Sequence, residues 1–213
     1  MAKTLVIDPR RPEPETLTLA AERLRAGELV AYPTETFYGL AADARSEEAV
    51  ARVFALKGRR AEQPLPIIID SLAALELVAE VPPLARLLAE EFWPGALSLV
   101  IPARPVLPAN LTGNTGKVAA RVSSHPVATA LAAAFGGPIT ATSANRSGST
   151  GLSSAQEVER EIGAGLALIL DGGPLYARTG STILDVTTEP PAVLRPGLVP
   201  EEIIRRFLAR PRA

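Results

Sequence analysis

Thr16-Leu-Thr-Leu-Ala-Ala-Glu-Arg-Leu-Arg-Ala-Gly-Glu-Leu-Val-Ala-Tyr-Pro-Thr-Glu-Thr-Phe-Tyr-Gly-Leu40 contains two different periodicities. Leu17, Ala20, Ala21 and Leu24 fall on one face of a 3.6-residue repeat, so residues 16–26 predict an amphipathic helix, with Gly27 as its stop. Residues 29–32 are a short apolar run cut off by Pro33, which predicts a buried strand. Working outward, the same alternation recurs. Strands are expected at 5–7, 65–69, 97–101, 118–122, 138–142, 167–170, 182–186 and 192–194. Helices are expected at 47–57, 72–79, 84–92, 127–135, 155–162 and 201–209. Ser46 can cap the first of these helices, Gly58 can close it, and Ser153 or Ser154 can cap the helix at 155. This predicts an α/β fold (α+β by stricter usage) in which helices flank a twisted mixed sheet. The order is not a clean βαβ alternation, so antiparallel pairs are expected.

Composition removes several classes of function. The 213 residues include no cysteine, which excludes disulfides, thiolate metal sites and a cysteine nucleophile. The one histidine, His125, is too few for the usual catalytic zinc site, and its place before Pro126 reads as the start of a helix. The net charge of −1 offers no basic excess of the kind a dedicated nucleic-acid binder shows. No signal-like or spanning stretch is visible, so a cytoplasmic protein with no membrane contact is expected.

Four segments carry candidate chemistry. Hydroxyls at Thr34, Thr36 and Tyr38 cluster just after the strand at 29–32, although a strand-to-helix connection with polar turn residues would explain them equally. Lys57-Gly-Arg-Arg60 closes a helix, where cations complement the dipole. Yet lysine occurs at three positions only, Lys3, Lys57 and Lys117, in a chain whose cations are mostly arginine. An ammonium beside a guanidinium is a common way to hold a polyphosphate. The stretch Thr140-Ala-Thr-Ser-Ala-Asn145-Arg-Ser-Gly148 follows a buried strand, and its small polar side chains suit a nucleotide as well as an ordinary turn. Gly180-Ser-Thr-Ile-Leu-Asp185 and Leu194-Arg-Pro-Gly197 form a pair that includes Arg195. Arg121 sits inside the apolar strand at 118–122, where a charge needs a partner from protein or ligand. No GxxxxGK[ST] or GxGxxG fingerprint is present.

Together, YPTET-x-YGL, K-x-R, PGALSL, RV-x-x-HP, S-x-N, GST-I-L-D and L-R-x-G stand in an order that resembles the YrdC-like family, the threonylcarbamoyl-AMP synthases. The resemblance covers about residues 15–197. The chain ends soon after Gly197 and is read as the short form: one domain over 1–213, with a C-terminal helix and tail at 198–213. The resemblance implies a positively lined cavity and a nucleotidyltransferase. That enzyme would make threonylcarbamoyl-AMP and pyrophosphate from L-threonine, bicarbonate and ATP, for tRNA threonylcarbamoyladenosine modification. Its partners would be downstream tRNA-modification proteins, with direct tRNA contact left open.

Carried over residue by residue, Lys57 and Arg59 are the catalytic pair and bind ATP phosphates, with Ser143, Asn145 and Arg195. Thr34, Arg121 and Ser181 are assigned to threonine. No carboxylate cluster is evident, so Mg²⁺ is expected mainly on phosphate oxygens, with no metal ligands from the protein. Glu35 offers an acid-base group, but an exposed structural carboxylate is the favoured reading. The sequence departs from the family at Arg60, often a proline, and at Ile67-Ile-Ile69, where a histidine often stands near the substrate. Two rivals remain. One is a double-stranded RNA or tRNA-binding module using Arg59, Arg60, Arg121, Arg146 and Arg195. The other is a carbamoyltransferase of the hydrogenase-maturation kind.

Overall fold

The computed structural model describes residues 2–60 and 62–210, so the last residues of the expected tail, 211–213, lie outside the described residues. The strands form two mixed sheets where one was expected. The first has five strands in the order β1 (Lys3–Val6), β9 (Leu168–Asp171), β2 (Val30–Tyr32), β3 (Gly39–Ala41) and β8 (Thr142–Ser143). The second has six: β11 (Ala192–Arg195), β10 (Thr182–Asp185), β5 (Leu97–Pro102), β6 (Lys117–Arg121), β4 (Ile67–Ile68) and β7 (Ile139–Thr140). Each sheet contains parallel and antiparallel pairs, as the irregular order of elements predicts.

The expected strand at 138–142 is where one sheet becomes two. Its first half pairs with β4 and its second half with β3. Ala141 lies between them and donates its amide to the Pro66 carbonyl at 2.8 Å. The Thr140 hydroxyl donates to the Leu40 carbonyl at 2.7 Å and accepts from the Ala42 amide at 3.0 Å, tying the two sheets together at the switch.

The decisive stretch also folds differently from its reading. Residues 33–38 return the chain into a second strand, β3, antiparallel to β2, and no helix follows them directly. Thr34 makes the turn: its Oγ1 accepts from the Thr36 amide at 3.1 Å and donates to the Phe37 carbonyl at 2.7 Å. Gly39 is required opposite Tyr32, because a Cβ there would lie 2.8 Å from the Tyr32 ring.

Helices cover both sheets through their apolar faces. α1 (Pro14–Arg25) and α5 (Pro126–Phe135) pack Leu17, Leu24, Val127 and Leu131 with Val30, Tyr32 and Leu168 in one core. α2 (Glu47–Lys57) and α6 (Ala155–Ile162) join Ala31, Leu40 and Ile169 from the opposite face of the first sheet. α3 (Leu72–Val78), α4 (Pro83–Phe92) and α7 (Glu201–Leu208) contribute Val78, Leu88 and Ile204 to the same core as Leu97, Leu99 and Ile101 of β5. With that side of β5 in the core, Ser98 and Val100 point the other way by the two-residue repeat. Ile67 and Ile69 join one core and Ile68 the other, so the apolar departure at this strand is core packing.

Candidate active site

Between the two sheets lies a cavity of about 550 Å³. Alternate residues of the second sheet line it: Lys117, Ala119 and Arg121 on β6, Val100 on β5, and Ile183 and Asp185 on β10, with Ser181 just before. The other side comes from the β2–β3 turn, from 64–66, and from Thr142 and Ser143. Of the eight site residues expected from sequence, Thr34, Arg59, Arg121, Ser143, Ser181 and Arg195 line this cavity. Lys57 and Asn145 do not, although they contact the wall through Ser143.

Lys57 ends α2, where the left-handed Gly58 terminates the helix, and its side chain is buried. The ammonium donates to the Ser143 carbonyl at 2.5 Å, the Asn145 carbonyl at 2.6 Å and Asn145 Oδ1 at 3.3 Å. Those three acceptors match the three protons an ammonium carries. Burial pulls its pKa down to about 8, and Arg59 adds to the shift, while Glu161 opposes it. Asn145 also accepts from the Ser143 hydroxyl and donates Nδ2 to the Ser149 carbonyl at 2.6 Å. The 143–145 turn is therefore fastened from behind.

The three cavity arginines are held in two ways. Arg59 donates to the Pro64 carbonyl at 2.9 Å and the Gln63 carbonyl at 3.4 Å. Arg195, exposed at the rim, donates to the Ser181 carbonyl at 2.8 Å and the Ser181 hydroxyl at 3.1 Å. The Ser181 hydroxyl also bonds Ser98 across the floor at 3.0 Å. Partial loss of water around the guanidinium lowers the pKa of both arginines. Arg195 adds to the shift at Arg59, and Arg121 adds to it at Arg195. Each guanidinium thus lies within electrostatic reach of the next.

Arg121 instead has a carboxylate. Its Nε donates to Glu35 Oε1 at 2.9 Å, with side-chain exposures of 3% and 11%. Glu35 is therefore mostly covered, which corrects its reading as an exposed carboxylate. The β2–β3 turn, which is not the strand-to-helix connection that the sequence allowed, is what carries it inward. Further along the floor, Lys117 stands 3.4 Å from Asp185. Burial works against ionisation of Asp185, but hydrogen bonds from Thr187 and the charge of Lys117 outweigh it and hold its pKa below the usual value. Sequence reasoning missed this pair; the use of lysine at position 117 in an arginine-rich chain was the available signal.

His125 caps α5, its Nδ1 accepting from the Val127 amide at 3.3 Å, as a helix-start reading predicts. Burial lowers its pKa and Glu35 opposes the shift. Arg60 and Arg146 are exposed, whereas Arg59, Arg121 and Arg195 line the cavity, so the five arginines do not form one basic face. Among the described residues no three His, Asp or Glu side chains gather as a metal site, and no helix is long and apolar enough to cross a membrane.

Residues 22–197 match the Sua5/YciO/YrdC family model, described as telomere recombination. The chain belongs to the Sua5/YciO/YrdC family. A threonylcarbamoyl-AMP synthase of Pyrococcus abyssi is 43% identical over 207 residues, covering 96% of this chain and 61% of that protein. One from Bacillus subtilis is 40% identical over 191 residues, covering 89% of this chain and 55% of that protein. The chain thus spans little more than half the length of these Sua5/YciO/YrdC relatives. The crystal structure of P. abyssi Sua5 complexed with L-threonine superposes with a TM-score of 0.94 at 41% identity, covering 98% of this chain and 61% of that one.

Proposed function

We propose that this protein is a threonylcarbamoyl-AMP synthase, joining L-threonine, bicarbonate and ATP to give threonylcarbamoyl-AMP and pyrophosphate. The observation that carries the proposal is the inter-sheet cavity, in which Arg59, Arg121 and Arg195 meet the hydroxyls of Thr34, Ser143 and Ser181. The family membership and the names of its relatives support the same reading.

The reaction brings anions together. The carboxylate of N-carboxythreonine attacks the α-phosphorus of ATP, the bond to the β-phosphate oxygen breaks, and pyrophosphate leaves with the released negative charge. The residues on hand fit charge compensation and alignment better than covalent catalysis. Arg59 and Arg195 have only neutral oxygens as hydrogen-bond partners among the described residues, so their charge is open to phosphate. Ser143 would meet the phosphates from the opposite wall. Lys57 already donates to three oxygens, so its part is to hold the 143–145 turn and to add positive charge from behind it. Asn145 serves the same turn. Thr34, Arg121 and Ser181 would take threonine, with Arg121 on its carboxylate. Mg²⁺ would enter on the phosphates of ATP and screen their charge.

The product is an activated carbamoyl group, which fits handover to tRNA-modification proteins in the cytoplasm. Mass spectrometry of a reaction with ¹³C-bicarbonate tests the reading. An AMP adduct carrying one ¹³C and one threonine is expected. AMP or ADP without the adduct would refute it.

A further inference from the structure

We infer that Glu35 is a positioning residue for the amino-acid substrate. It fixes the Arg121 guanidinium from behind, so that the two outer nitrogens face the cavity and take the α-carboxylate. This rests on the proposal that Arg121 reads the carboxylate of threonine.

Glu35 does not itself line the cavity, whereas Arg121 does. The carboxylate is fastened at both oxygens: Oε1 accepts from Arg121 Nε, and Oε2 accepts from the Ser123 hydroxyl. The Ser123 oxygen in turn accepts from the His125 amide at 3.1 Å, and the Ser123 carbonyl accepts from the Thr129 hydroxyl at 2.7 Å. The anchor therefore runs from the β2–β3 turn into the first turn of α5. Tyr32 lies within the electrostatic reach of both charges, and it is fully buried. The pair is enclosed by protein, where a charge-assisted bond holds its geometry well.

Arg121 uses only Nε in this contact. Among the described residues neither of its outer nitrogens has a hydrogen-bond partner. A guanidinium held at Nε presents its remaining N–H groups as a planar fork, and a carboxylate matches that fork bidentately. Glu35 also cancels the charge of Arg121, so this end of the cavity suits a zwitterion better than a polyanion. Arg59 and Arg195, without carboxylates, favour the polyanion. The two settings thus favour different ligand charges within one cavity.

The test is to measure KM for L-threonine and for ATP, and calorimetric affinity for L-threonine against L-threoninamide, which lacks the carboxylate. Glu35→Ala removes the anchor; Glu35→Gln keeps an acceptor for Nε and a partner for Ser123. Glu35→Ala should raise KM for L-threonine about tenfold or more, the scale of a lost charge-assisted contact. It should narrow the threonine-to-threoninamide ratio and leave KM for ATP unchanged, and Glu35→Gln should recover most of the loss. A folded Glu35→Ala with unchanged threonine affinity and ratio would overturn the inference, as would an equal rise in both KM values. Should Glu35→Ala not fold, Ser123→Ala frees one carboxylate oxygen. It should shift threonine affinity alone, by about threefold, and no shift there overturns the inference. Arg121→Lys separates the two levels. If it leaves the threonine-to-threoninamide ratio intact, the assignment of Arg121 itself has failed; if it collapses the ratio while Glu35→Ala does not, only the role of Glu35 has.

Discussion

Arg121 and the pair Arg59 and Arg195 lie in one cavity but are stabilised by different means. Arg121 is neutralised by Glu35 inside the protein, whereas Arg59 and Arg195 lean on carbonyls and the Ser181 hydroxyl. A carbonyl orients a guanidinium without cancelling its charge; a carboxylate does both. The first kind is left to be neutralised by a ligand, and the second is already part of the fold. Arginines that look alike in sequence should therefore fail differently when removed.

The largest effect should come from breaking the buried pair. Arg121→Ala strands the Glu35 carboxylate in a covered position and should cost about 3–5 kcal/mol of stability, read by urea unfolding. Removing Arg59 or Arg195 should cost far less stability. If all three variants unfold alike, the distinction between the two settings is lost. The use of ATP should show the reverse emphasis. Arg59→Ala and Arg195→Ala should keep their thermal melts yet lose about 1.5–3 kcal/mol of transition-state stabilisation with ATP. That corresponds to about a 10- to 150-fold fall in kcat/KM. Normal ATP kinetics in both variants would place the phosphates elsewhere.

Lys57 offers a third setting, enclosed among neutral oxygens. Its pKa is lowered from 10.5 to about 8 in the folded protein, chiefly by burial. Between those values the unfolded chain binds more protons than the folded one, so this group makes stability rise with pH. The stability of the wild type relative to Lys57→Met should therefore increase from pH 8 to pH 10.5, in unfolding curves taken at several pH values. A flat difference would mean that Lys57 is not desolvated as described. The smallest effect belongs to a control that does not line the cavity. Ser154 caps α6 in a reciprocal capping box with Glu157, so Ser154→Ala should cost about 1 kcal/mol of stability and leave turnover unchanged.

Much of this organisation is legible in the sequence. α2 and α6 have the expected bounds, and the other helices and most strands fall within a residue or two of theirs, because apolar periodicity reports a buried face. The elements that escaped were decided by side-chain hydrogen bonds and tertiary contacts. β3 follows a turn built by Thr34 and a tight Gly39–Tyr32 contact, neither of which has a periodicity. The split at Ala141 is likewise invisible along the chain, since both halves are equally strand-like. Six of the eight expected site residues line the cavity because they lie at or beside the ends of elements that border it. Lys57 was singled out by the rarity of lysine, but its direction toward the 143–145 turn depends on tertiary contacts. The covering of Glu35 was missed for the same reason as β3.

The most direct measurement of the central claim is pyrophosphate release by the purified protein with Mg²⁺ and ATP, omitting one component at a time. Release should require both bicarbonate and L-threonine and should need no RNA. Serine should support it less well, because a methyl missing from an apolar pocket costs about 1–3 kcal/mol. Valine should be rejected more strongly, since it leaves the partner of the threonine hydroxyl unpaired. Pyrophosphate release that ignores threonine, or no release with every component present, would contradict the account.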